Sequence, residues 1–288
     1  MIQAYLKYFS ALLLFGLNGI VASYISLNSY EIVFVRTMIG SLFLGVVFIV
    51  SGGKIRGSKK HYIYLSISGM AMGASWMFLY EGYAQVGVSI ATLAYYCGPI
   101  IVTVLSFLLF RERMTFAKLL GFFIVMMGMF FVNGHALQQS GFSWGLLCGI
   151  LSAVMYAIMV IFNKKAESIT GLENAMLQLI VSFVTVAAFV LIKQGFTVPP
   201  VMQNIFPVLF LGIVNTGIGC YLYFSSIQRL PTGTIAICGY LEPLSALVFS
   251  TILLQERLSI VQIIGAGFII GGAVLGELSA HKSKWKGD

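Results

Sequence analysis

The sequence predicts an all-α membrane protein with ten transmembrane helices in two inverted five-helix repeats, and three observations carry that prediction. The 288 residues are 59% hydrophobic and only 9% charged, against roughly 25% charged in a soluble domain, which leaves too little polar surface to face water. The apolar residues gather into segments about as long as the 20 or so residues that cross a bilayer as a helix. Finally, the chain resembles itself when shifted by half its length.

In order, the apolar segments lie near 4–23, 30–50, 61–80, 88–110, 116–133, 143–162, 172–193, 204–226, 232–254 and 259–278. The first, from Ala4 to Ser23, lacks a strongly basic leader and a small-residue cleavage site, so it reads as a span and not as a signal peptide. The third and fourth are separated only by a weak break at Gly82–Gly87 inside a continuous apolar stretch. The fifth and tenth follow the matching turns Glu112-Arg113-Met114-Thr115 and Glu256-Arg257-Leu258-Ser259. There, Thr115 and Ser259 are suited to cap the next helix by accepting from its free amides. Basic residues fix the expected orientation. With the N-terminus cytoplasmic, 14 of the 17 fall on the inside, Lys193 and Arg257 outside, and Arg36 within the second span. Both termini are therefore expected in the cytoplasm, with the chain in the cell membrane.

The repeat appears at a shift of 144 residues, which places Tyr96 on Tyr240, Pro99 on Pro243, Ser106 on Ser250, Glu112 on Glu256, Arg113 on Arg257, Gly121 on Gly265 and Gly128 on Gly272. Hydrophobic chance does not align Pro, Glu and Arg together. The expected units are residues 1–138 and 139–288, the second with a short basic tail. Five spans is an odd number, so the second unit must enter the membrane from the other side, the architecture of many alternating-access carriers.

Several classes are disfavoured by what the sequence lacks. The net charge of +8 is spread over loops and not gathered into a nucleic-acid patch. Cys97, Cys148, Cys220 and Cys238 lie in apolar segments without metal-binding spacing, and the three histidines, His61, His135 and His281, stand at loops or ends. No enzyme constellation, metal site, nucleotide-binding motif or cofactor is indicated. The expected partners are a small-molecule substrate and the lipid bilayer, with the chain a monomer or a homodimer joined through small-residue helix faces.

The blocks Phe15-Gly16-Leu17-Asn18, Val35-Arg36, Gly98-Pro99 with Phe110-Arg111-Glu112-Arg113, and Leu241-Glu242-Pro243-Leu244-Ser245-Ala246-Leu247 with Leu254-Gln255-Glu256-Arg257-Leu258 together resemble a known family. They are similar to the ten-helix transporters with two EamA domains in the drug/metabolite transporter superfamily. The resemblance covers nearly the whole chain. It departs at Arg111 and Gln255, where the family commonly has glycine before the repeated Glu. The resemblance implies a carrier and is silent on substrate, since relatives move amino acids, choline-like cations, nucleotide derivatives and other metabolites.

The candidate site residues follow from polarity at membrane depth. Pro99 and Pro243 interrupt equivalent helices, and paired interruptions point to a midplane site; the carbonyls of Tyr95 and Gly239, four residues earlier, are expected to be weakly satisfied. Glu242 is an intramembrane carboxylate, costly unless paired, hydrated or protonated. Its counterpart is Gly98, so it breaks the internal symmetry. It binds a cationic group of the substrate, takes up a coupling proton, or bonds structurally to hydroxyls or Arg36. Arg36 meets a substrate carboxylate, Glu242 or Glu31, or snorkels to the interface. Trp76, Tyr80, Tyr95, Tyr96 and Tyr240, with Tyr156, Tyr221 and Tyr223, either line a cavity and attract an ammonium group or serve as packing. Asn18, Asn215 and Gln178 are expected to face the interior. The expected function is secondary transport of a small polar metabolite, an amino acid or related amine first among them, with proton coupling through Glu242. A lipid-linked flippase or passive channel shares the architecture, and an intramembrane enzyme is a distant third.

Overall fold

The computed structural model describes residues 2–86, 88–110, 116–137, 144–195, 205–253, 255 and 259–284, and among them every regular element is helical. Helices α1 (Ile2–Gly16) and α2 (Asn18–Ser23) form one interrupted rod, followed by α3 (Ser29–Val50) and α4 (Lys59–Val86). Next come α5 (Val88–Tyr95), α6 (Gly98–Phe110), α7 (Phe116–Leu137), α8 (Trp144–Lys165) and α9 (Gly171–Gln194). A further rod joins α10 (Ile205–Leu209), a π-helical segment (Phe210–Ile218) and α11 (Gly219–Ile227); then follow α12 (Thr232–Cys238), α13 (Leu241–Leu253) and α14 (Ile260–Lys284).

Seven of these rods are long and apolar enough to cross a membrane, and three shorter apolar helices, Gly98–Leu109, Leu119–Phe131 and Ile260–Gly276, accompany them. Their outer faces carry large exposed apolar side chains such as Leu42, Ile49, Phe107, Phe123, Phe130, Ile192 and Ile263. A surface of that kind belongs against lipid tails. The chain is a multi-pass membrane protein.

The boundaries differ from the sequence expectation where helices outrun their apolar stretch. The third segment, expected at 61–80, continues to Val86 as α4, because Glu81 and Gln85 lie one turn apart on its final stretch and bond to each other at 3.2 Å. The ninth segment, expected as one helix, is two: Thr232–Cys238 and Leu241–Leu253, separated by Gly239-Tyr240. The fourth is likewise broken, between Tyr95 and Gly98. Pro99 and Pro243 therefore stand in the first turns of α6 and α13, where a missing amide costs little, and do not kink continuous rods. The expected weak carbonyl at Gly239 is not there: it accepts from the Glu242 amide at 3.1 Å, a tighter bond across the break.

Helix packing follows the repeat. α4 lies along α8 and α11 along α1; α3 lies on the π segment and α4 on α9; α5 and α6 pack on α8 as α13 packs on α1; and α3 with α9, α6 with α12 and α7 with α14 pair across the halves. Glycine makes the α7–α14 crossing possible. A Cβ at Gly121 would sit 2.6 Å from the Gly272 carbonyl oxygen, and one at Gly128 the same distance from that of Gly265. The contact lies within the chain; among the described residues, nothing stands within 4 Å of a Cβ at Gly267 or Gly271. Gly272→Leu should force the two helices apart, costing about 1–3 kcal/mol by overpacking, whereas Gly271→Leu should be close to neutral. Thermal melts of the two variants followed by size-exclusion chromatography in detergent check this.

Of the two predicted caps, Ser259 does cap α14: its hydroxyl accepts from the Gln262 amide at 3.2 Å while the Gln262 side chain accepts from the Ser259 amide at 2.9 Å, a reciprocal capping box. The other, Thr115, lies outside the described residues with the rest of the Glu112–Thr115 turn, as do residues 256–258.

Candidate functional site

Two adjoining cavities occupy the centre of the bundle. The larger, about 620 Å³, is lined by α2, the start of α3, the end of α4, α5, α13 and the first turn of α14, around the C-terminal end of the first rod. The smaller, about 60 Å³, lies deeper and shares with it Phe15, Asn18, Trp76, Tyr95 and Glu242. The larger volume is in the range of small-molecule sites, roughly 300–1,000 Å³. Eight of the 14 residues lining the smaller one pair under the 144-residue shift: Leu12 with Tyr156, Phe15 with Met159, Trp76 with Cys220, Tyr95 with Gly239. It therefore sits where the two halves meet.

Arg36 is the best-held polar group of the larger cavity. It is 2% exposed and does not snorkel. Its Nε donates to Thr216 Oγ1 at 3.0 Å, one terminal nitrogen to the Tyr80 hydroxyl at 3.1 Å and the other to Asn18 Oδ1 at 3.3 Å. The guanidinium carbon lies 4.6 Å from the Trp76 ring centre, a stacked cation–π contact. These partners come from α2, α4 and the π segment and fix the guanidinium plane. None is anionic. Glu31, five residues earlier, is committed elsewhere: with Asn28 it closes the capping box of α3. Among the described residues Arg36 forms no ion pair. A buried guanidinium with neutral partners retains the capacity to meet an anion.

Glu242, in the first turn of α13, lines both cavities. Among the described residues its carboxylate makes neither a hydrogen bond nor an ion pair within 4.0 Å, although the charge of Arg36 acts on it across the cavity. A carboxylate bonded to hydroxyls or to Arg36, one of the alternatives open from the sequence, is thus not what the helices assemble. Phe15, Trp76 and Tyr95 line the same two cavities with it.

The remaining predicted residues divide into those in the cavities and those behind them. Trp76, Tyr80, Tyr95, Tyr96, Asn18 and Pro243 line the larger cavity. Asn215 stands behind Asn18, to which its Nδ2 donates at 3.1 Å, and its own Oδ1 is buried without a partner among the described residues. Tyr240 and Pro99 line neither cavity. The Tyr240 hydroxyl donates to the Tyr96 carbonyl at 2.8 Å and its ring packs on Tyr96 and Phe122. Gln178 belongs to a separate buried network: it donates to Ser68 at 2.9 Å and accepts from Asn163. Tyr221 lies beneath the Lys7 ammonium, 5.0 Å from its ring centre.

Sequence reasoning missed Phe15, Tyr83, Thr92 and Thr216. Tyr83 and Thr92 flank the weak break after α4 and bond to each other at 3.3 Å. Thr216 carried no signal beyond its position next to Asn215. It is aimed by the π segment, and its hydroxyl donates to the Leu211 carbonyl, five residues back, at 2.7 Å, the spacing of a π-turn.

Comparison with known proteins places this architecture. The model of the EamA-like transporter family matches residues 3–134 and again 143–276. The transporter YxxF of Bacillus subtilis, described as uncharacterized, is 26% identical over 283 residues, covering 94% of this chain and 88% of its own. An uncharacterized transporter of Archaeoglobus fulgidus is 25% identical over 234 residues, 80% of this chain and 82% of its own. A crystal structure superposes with a TM-score of 0.81 at 20% identity, over 96% of this chain and 98% of that one, a likeness of fold.

Proposed function

This chain belongs to the EamA-like transporter family, and on that premise we propose that it is a secondary carrier for amino acids, with the zwitterion held between Arg36 and Glu242. The observation that supports the reading is the coexistence, in one cavity of about 620 Å³, of a buried guanidinium with only neutral partners and a carboxylate with none among the described residues. A cation and an anion kept apart suit a substrate bearing one of each. The substrate carboxylate takes the free edge of Arg36, and the ammonium group lies between Glu242 and the rings of Trp76 and Tyr95. The deeper compartment, walled by Leu12, Phe15, Met72, Met159 and Phe224, receives an apolar side chain. Its 60 Å³ is room for a few waters, and its thioether and aromatic walls yield to a larger ligand.

Transport in this reading is alternating access between two inverted halves, residues 1–138 and 139–288, with both termini in the cytoplasm of a cell whose plasma membrane holds the carrier. The open cavity then faces outward. Glu242 exchanges a proton or the ammonium group of the substrate between the two faces, which couples flux to a gradient without nucleotide. The carrier works as a monomer or a homodimer.

Counterflow in proteoliposomes tests the proposal. Vesicles preloaded with unlabelled leucine or methionine should accumulate the labelled amino acid transiently and saturably. The matching amine without carboxylate, and the matching acid without amine, should each compete at least about tenfold more weakly, since each leaves one buried charge unmet. Absence of saturable counterflow across a full amino-acid panel would rule the reading out.

A further inference from the structure

On the side of the bundle that carries the N-terminus, the repeat counterparts of residues that line the larger cavity are buried. Tyr83, Thr92 and Tyr96 border the larger cavity; 144 residues later stand Ile227, Ala236 and Tyr240, each 0% exposed. All seven residues of α12 are buried, whereas its counterpart α5 turns Thr92 and Tyr95 to the cavity. The Tyr8 hydroxyl ties α1 to the Ile235 carbonyl of α12 at 2.7 Å.

The short turn between α11 and α12 is where this closure is fastened. Lys164, in the last turn of α8, donates from its Nζ to the carbonyls of Ile227 and Leu230. From the turn itself, Gln228 Nε2 reaches back to the carbonyls of Ile169 at 2.7 Å and Ala166 at 3.3 Å. The two side chains reach in opposite directions across one seam, so the carbonyl end of α11 and the loop after α8 hold each other. In the first half the counterparts of Lys164 and Gln228 are Ile20 and Ala84, an apolar side chain and a methyl group, neither of which can donate to a carbonyl.

We infer that Lys164 and Gln228 form a one-sided latch on the 228–231 turn, which keeps the inner end of the pathway closed and makes the outward-open form the resting state. The inference rests on the alternating-access reading above. Its geometry fastens one half and not the other, so the two conformations of the carrier differ in energy. A charged donor on two carbonyls, with an amide on two more, biases the equilibrium by about tenfold or more. Substrate binding near Glu242, at the start of α13 and two residues beyond the Gly239-Tyr240 break after α12, is positioned to pull on the latched segment.

The test uses the full chain with its four cysteines replaced and a single reporter cysteine. In inside-out vesicles Ala236→Cys should resist a membrane-impermeant maleimide, and should react about tenfold faster when Lys164→Met or Gln228→Leu is added, whereas Lys164→Arg retains protection. On the opposite face Thr92→Cys should react in the parent and become protected in the two latch variants. If Ala236→Cys is exposed while Thr92→Cys is unchanged, the latch stands and the two ends are not coupled, which overturns the carrier reading alone. If Ala236→Cys stays protected in both variants, the latch is wrong whatever counterflow shows. Hydrogen exchange tests the latch without any reporter cysteine: the amides of 228–230 should exchange faster in Lys164→Met and Gln228→Leu than in the unaltered chain. Equal rates overturn the latch.

Discussion

Arg36→Gln should abolish saturable exchange of amino acids at concentrations that saturate the unaltered chain, while leaving competition by simple amines nearly intact. The guanidinium is pinned by Thr216, Tyr80 and Asn18 and held over Trp76, so in the proposed reading its two uncommitted N–H groups meet a planar carboxylate. Removing one member of a buried charge pair costs about 2–5 kcal/mol, much of it the penalty of leaving the other charge unmet. The apparent affinity for amino acids should accordingly fall at least about 30-fold. Arg36→Lys should recover little, because an ammonium group cannot reproduce the fork that three partners hold. Initial rates over a substrate titration in proteoliposomes measure the loss. Amino-acid affinity unchanged in Arg36→Gln would remove Arg36 from the site.

Glu242→Gln should give the mirror-image result: amines and amino acids lose affinity, and carboxylic acids without an amino group do not. The substitution keeps volume and shape, so the effect reads charge alone. No hydrogen bond of the carboxylate is lost among the described residues, and for that reason the variant should fold as well as the parent. The second readout is pH. In the unaltered chain the rate of uptake should change with external pH and an imposed proton gradient should drive accumulation; in Glu242→Gln both responses should vanish. Gradient-driven accumulation that persists in the variant would assign the proton to another group. The crossed pattern of Arg36 and Glu242 is harder to obtain from general damage than the loss of activity in either variant alone.

Much of this is readable in the sequence, and the limits have physical causes. Apolar runs of bilayer length locate the rods because lipid demands such runs, and the pairs Pro99/Pro243 and Gly121/Gly265 reveal the duplication because chance does not match proline and closely packed glycine. Arg36 and Glu242 stand out because isolated charges at membrane depth are costly. Neither residue's surroundings are readable. The partners of Arg36 lie 18, 44 and 180 residues away and depend on the relative rotation of separate rods. The orientation of Thr216 depends on a π segment that nothing in its composition announces. Tyr240 shows the converse: it matches Tyr96 across the repeat, but such symmetry arises equally from two side chains packed back to back, and that is how the pair is placed.

The cradle of Arg36 also bears on how the molecule is made. Asn18 precedes Arg36 and Tyr80 follows it closely, whereas Thr216 is synthesised 180 residues later. At roughly 5–20 residues per second, the guanidinium waits on the order of 10–40 s for the eighth rod. During that interval the nascent second rod has an incompletely solvated charge, held by one amide and one phenol. Insertion of the first half is thus provisional until the second arrives, and a ribosome stalled between them leaves a fragment that quality control has a physical reason to remove.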